Sequence, residues 1–241
     1  MTMKKQLFLF LMMLLPIIAS AETVEIDGIY YNLIPKGKVA EVTSNPNGYS
    51  GTVEIPETVT YNDVTYNVTS INGSSFNKCC GGLTSISIPK SVNKIAQGAF
   101  EGCVQLDSIY ITDLTAWSNI EHEGGTSFLS CNHFCLNNEE IIDLAIPNDI
   151  TKICADAFYG CRGITSVTIP SCVTAIGNNA FANCTGLISV YIPNSITTIG
   201  SYAFSGCSNL TSVQIYSLES WCKIFFKILM QTLCTLLITF I

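Results

Sequence analysis

The sequence predicts a mainly β solenoid of coils about 23 residues long. Three observations predict it. Pro147, Pro170 and Pro193 are spaced 23 residues apart. Each is followed by Phe at +11 (Phe158, Phe181, Phe204) and by Cys three residues further on (Cys161, Cys184, Cys207). Pro89, Phe100 and Cys103 keep the same offsets, while Phe76 and Cys79 keep the Phe-to-Cys step with Pro56 further upstream. Five copies thus run from about residue 53 to 216. A unit this short cannot bury its own apolar side, but stacked copies share one continuous core.

The chain opens on a targeting pattern. Lys4 and Lys5 precede an apolar run from Leu7 to Ile18, and Ala19-Ser20-Ala21 offers a small-x-small cleavage site. That order reads as a secretory signal peptide over residues 1–21, too short in its apolar part to span a bilayer. The mature chain from Glu22 carries 9 basic and 18 acidic residues, net −9. So few cations argue against nucleic acid, which needs clustered Lys and Arg. With 48% hydrophobic residues the chain is also no candidate for disorder.

Residues 22–52 alternate weakly (Val24, Ile26, Ile29, Tyr31, Leu33) and read as a hairpin capping the stack. The solenoid proper spans 53–224. In each unit a strand comes first, as in Leu187, Val190 and Ile192, with apolar residues alternating at its end. Pro ends the strand because it has no N–H for the ladder. A second apolar pair follows, such as Ile196 and Ile199. Asn/Ser-x-Ala-Phe then reads as a tight turn or a single 3₁₀ turn that drops Ala and Phe inward.

The pattern I-P-x-x-V-T-x-I-G-x-x-A-F-x-x-C-x-x-L-x-S-V resembles the BspA-type leucine-rich repeat over about residues 50–220. The resemblance implies a right-handed leucine-rich repeat solenoid with a parallel sheet on its concave side. It also implies a secreted or surface-displayed protein of anaerobic bacteria or protozoa, with a role in adhesion and protein binding.

One insertion breaks the period. Pro89 and Pro147 lie 58 apart, and the longer coil, at about residues 106–146, carries Trp117. Leu210 to Ile224 repeats Leu106 to Ile120 at a constant offset of 104, with Trp221 under Trp117. The tail, residues 225–241, is almost wholly apolar where a solenoid needs a polar cap. Two readings of it stay open. It is an out-of-frame end, which makes the chain a truncated or frameshifted copy of a longer repeat protein. Or it is a membrane anchor, for which 17 residues including Lys227 are marginal.

The twelve Cys suggest a disulfide framework. The repeat argues otherwise, because Cys79, Cys103, Cys161, Cys184 and Cys207 share one position in successive coils. They are expected as a column of buried free thiols beside the ring column of Phe76, Phe100, Phe158, Phe181 and Phe204. Whether the sporadic Cys pair stays open. Cys131, His133 and Cys135 alternate, yet zinc wants a fourth ligand and closer Cys pairs, so no metal or other cofactor is expected. Glu139-Glu140 reads as a solvated turn.

No acid/base pair, phosphate loop or activated nucleophile stands out, which speaks against an enzyme. The candidate site is the outward side of the strands. One outward column is hydroxylic: Ser85, Ser108, Ser166, Ser189 and Ser212. The other varies: Ser87, Tyr110, Ala145, Thr168, Tyr191 and Gln214. A position that varies inside a strict repeat is not set by packing. Tyr110, Thr168, Tyr191 and Gln214 are therefore the expected ligand-binding residues, for a host or neighbouring-cell protein or glycan.

Overall fold

A computed structural model of the chain describes residues 22–77, 82–123, 130–215, 217 and 238–240. Residues 1–21, read from their sequence as a signal peptide, Cys79, Trp221 and nearly all of the apolar tail lie outside the described residues.

The chain starts antiparallel and turns parallel. β1 (Glu22–Ile26) and β2 (Ile29–Ile34) form a hairpin. Its two-residue turn is Asp27-Gly28, both at positive φ, the conformation that matches strand twist. β3 (Val39–Val42) pairs antiparallel with β2 and parallel with β6 (Val64–Ile71). β4 (Gly51–Glu54) already belongs to the parallel stack, and β5 (Thr58–Tyr61) folds back antiparallel on β6.

From there each coil contributes to two sheets. The first runs from β4 through β7 (Leu83–Ile88) and β9 (Ser108–Ile111) to β11 (His133–Leu136) and β12 (Glu139–Glu140). It resumes as β13 (Asp143–Ala145), β15 (Ser166–Thr168), β17 (Ser189–Ile192) and β19 (Ser212–Ile215), with β20 (Ile238–Phe240) alongside. The second sheet takes the short strands that follow, after the Pro in every coil but the long one. β8 (Lys94–Ile95) and β10 (Glu121–His122) continue from β6, and β14 (Lys152–Ile153), β16 (Ala175–Ile176) and β18 (Thr198–Ile199) form a separate set. Parallel strands stay in step because each coil has nearly the same length. Ser166, Ser189 and Ser212 are register partners, as are Ile153, Ile176 and Ile199.

The core is a stack of like on like. Phe76 and Phe100 stack with centroids 4.8 Å apart, and Tyr49 joins them at the N-terminal end at 4.8 Å. Phe158, Phe181 and Phe204 stack at 5.4 and 5.3 Å, nearly parallel. Phe76, Phe100, Phe158 and Phe181 are fully buried, and Phe204 is partly so. Beside the rings, the Cys103 thiol donates to the Phe76 carbonyl at 3.3 Å. Cys184 and Cys207 do the same to Phe158 and Phe181 at 3.0 and 3.1 Å. Each thiol thus ties the ring of one coil to the next while filling space as a small hydrophobe.

At the long coil the stack is interrupted. The first sheet stops at β12 and restarts at β13; the second stops at β10 and restarts at β14. A short helix missing from the sequence reading, α1 (Leu114–Ser118), fills the gap, capped by the Asp113 carboxylate on the Ala116 N–H at 2.9 Å. Trp117 on α1 packs against Phe134 at 5.4 Å, and Phe134 meets Phe158 edge-on at 5.9 Å. The Trp117 indole N–H donates to the Ala157 carbonyl at 2.7 Å. Indole and ring therefore carry the core across the seam that the strands do not cross.

Two residues before each Phe the backbone takes a positive φ: Ser74, Gly98, Asp156, Asn179 and Tyr202. Gly and Asn adopt this conformation cheaply; a bulky Tyr at φ 59° is strained. Tyr202 is 54% exposed, so it has little packing to lose. Tyr202→Asn is expected to raise stability by about 0.5–1 kcal/mol in urea unfolding.

Candidate functional site

The strand register builds two solvent-facing columns on each half of the first sheet. On the N-terminal half Thr52, Ser85, Ser108 and His133 are successive partners, and beside them Glu54, Ser87 and Tyr110, a column whose next partner, Cys135, is buried. On the C-terminal half the columns are Asp143, Ser166, Ser189, Ser212 and Ala145, Thr168, Tyr191, Gln214. Alternation puts Ile86, Ile109, Val167, Val190 and Val213 on the opposite side, all buried.

The hydroxylic column is half-buried, and one Ser in each half is tied to the strand before it. The Ser85 hydroxyl donates to the Thr52 hydroxyl at 2.8 Å, and Ser166 donates to the Asp143 carboxylate at 2.5 Å. In the second column Thr168 and Tyr191 are exposed, and Tyr110 and Gln214 are half-buried. Tyr110 and Tyr191 lie on different halves, separated by the seam. Three strand pairings lie between them, β9–β11, β13–β15 and β15–β17, on the order of 15 Å.

The seam itself gathers charge. Asn137 and Asn138, both at positive φ, close the β11–β12 hairpin as a tight two-residue turn. Glu139-Glu140 is therefore a strand and not a bare turn. Glu140 reaches the His133 imidazole at 2.8 Å, and Asp107 stands on the ring's other side at 3.8 Å, itself held by Asn132 at 2.8 Å. The Glu140 hydrogen bond, then its charge, raises the His133 pKa. The Asn-Asn pair before Glu-Glu was the sequence signal for this hairpin. His122, on β10, goes the other way: burial pushes its imidazole down to about 4.

Cys131, His133 and Cys135 do not converge. Cys131 is buried against Cys161, Cys135 is buried on β11, and His133 faces solvent. Among the described residues no three His, Cys, Asp or Glu side chains are placed to hold a metal ion.

These coils have relatives. Residues 56–135 and 129–232 match the family model of the BspA type leucine rich repeat region, in six copies. The chain belongs to this family. Among solved structures, the BspA-type chain is similar to a leucine rich cell surface protein from Faecalibacterium prausnitzii. The match has 25% identity and a TM-score of 0.53 and covers 83% of this chain. This chain spans 56% of that protein's length. A leucine-rich repeat protein from Treponema pallidum matches at 24% identity over 80% of this chain and 71% of its own, with a TM-score of 0.40. One from Bacteroides ovatus matches at 21% over 81% and 71%, with a TM-score of 0.43. No curated protein matches the chain.

The His133 pairing has a testable sign. A raised folded pKa means that the protonated imidazole stabilises the hairpin. That contribution is full below about pH 6.5 and is lost as pH rises through the folded value. NMR titration should place the His133 midpoint above the ordinary range, and Glu140→Gln should bring it down.

Proposed function

We propose that this protein is a secreted or surface-displayed leucine-rich repeat module that binds a protein or glycan partner and carries out no catalysis. The observation that supports the reading most is the second outward column. Its inward neighbours are all Ile, Val, Leu or Phe, while it holds Ser87, Tyr110, Ala145, Thr168, Tyr191 and Gln214. Packing fixes the one set and leaves the other free to suit a partner. Tyrosine supplies apolar area and a polar tip at low entropic cost.

Several further features favour the reading. The similar Faecalibacterium protein is a cell surface protein. The two Tyr lie on the order of 15 Å apart, which suits an extended partner that spans several coils. Neither outward column holds a Lys or Arg, which suits a neutral or basic surface rather than a polyanion. No helix among the described residues is long and apolar enough to cross a membrane.

The test is binding of the purified protein to an immobilised panel of extracellular proteins and glycans. For any partner found, the Tyr110→Ala, Tyr191→Ala double variant should keep its circular dichroism spectrum and lose at least about 2 kcal/mol of affinity. Unchanged affinity would move the site off this face.

A further inference from the structure

Both sheets are interrupted at the long coil, yet one isolated backbone bridge crosses the seam. Its two residues are Cys131 and Cys161, paired in parallel. The backbone holds the pair from both sides: the Cys131 N–H donates to the Gly160 carbonyl at 3.1 Å, and the Arg162 N–H to the Cys131 carbonyl at 2.9 Å. Neighbouring parallel residues stand about 4.8 Å apart, inside the Cα range that a disulfide spans. Both residues are only 1% exposed.

The rest of the thiol column is arranged differently. Cys103, Cys184 and Cys207 each point their thiol at a Phe carbonyl of an earlier coil. Cys161 instead meets a second thiol, that of Cys131. This hydrogen bond, together with burial, pushes the Cys161 thiol well up from its ordinary range. In the closed molecule thiolate is therefore scarce, and exchange proceeds from chains in which the seam is still open.

We propose that Cys131 and Cys161 are a disulfide site that staples the two halves of the solenoid across the seam. The co-reactant is a disulfide, either a small one such as oxidised glutathione or that of a thiol–disulfide oxidoreductase. One cysteine thiolate attacks the oxidant's S–S bond, forming a mixed disulfide and releasing one oxidant thiolate. The second cysteine thiolate attacks the protein sulfur of the mixed disulfide and expels the other oxidant thiolate. Two protein thiols are oxidised, the oxidant is reduced to two thiols, and the balance is one S–S bond exchanged for another. The new bond closes the loop from 131 to 161 and restricts the unfolded chain.

The experiment refolds the reduced, denatured protein with oxidised glutathione, alkylates the remaining thiols and maps the peptides by mass spectrometry. The expected result is the loss of two free thiols per chain and a peptide joining Cys131 to Cys161. Dithiothreitol should then lower the urea midpoint of the wild type and leave that of Cys131→Ser unchanged. Cys172→Ser should behave as wild type. Alkylation of both Cys131 and Cys161 in the refolded wild type overturns the proposal, and so does linkage of Cys161 to Cys184. The wild-type map decides the matter even where a variant fails to fold.

Discussion

Everything in this structure depends on one constraint: each coil must lay its ring and its thiol on those of the next. A coil of about 23 residues has two short strands and a turn, and nothing within it covers Phe181. Phe158 on one side and Phe204 on the other do so, at 5.4 and 5.3 Å. The equal coil length follows, because a coil longer by one residue would carry its ring out of the column. So does the parallel register, with Val167, Val190 and Val213 as successive partners. Where the length changes, in the long coil, both sheets break and different side chains take over. Trp117 and Phe134 restore ring contact, and the Trp117 indole satisfies the Ala157 carbonyl that would otherwise be buried unpaired.

Much of this was legible in the sequence because a repeat reports its own packing. The Pro-Phe-Cys offsets locate the turn, the ring and the thiol of each unit, and the alternation of Leu187, Val190 and Ile192 gives the inward side. The long coil was opaque for the same reason: it occurs once among the described residues, so nothing in the chain calibrates it. Its helix α1 is one turn with a single capping Asp113, too short for periodicity to register. The β11–β12 hairpin rests on Asn137 and Asn138, whose positive φ belongs to the pair and not to any hydrophobic pattern. Phe134, outside the Pro-Phe-Cys offsets, is the ring that joins Trp117 to Phe158. The pairing of His133 with Glu140 depends on that hairpin and had no linear signature of its own.

The outward columns follow from the same constraint. Once the inward positions are committed to Ile, Val and Phe, variation is confined to residues that touch solvent. The seam divides this face into two patches. One ends on carboxylates at Asp107 and Glu140 beside His133, while the other carries Tyr191 between Thr168 and Gln214. A partner reading both patches has to match the geometry of the seam, so whatever fixes the seam also fixes the shape of the face.

The ring column is the central claim, and Phe181 is the residue at which it is tested most directly. Phe181 is fully buried between two parallel rings, and its carbonyl accepts from Cys207. Equilibrium unfolding of Phe181→Ala in urea should show a loss of about 3–5 kcal/mol. A loss below about 1 kcal/mol would mean that the coils are held by their backbone ladders alone, and would contradict the account.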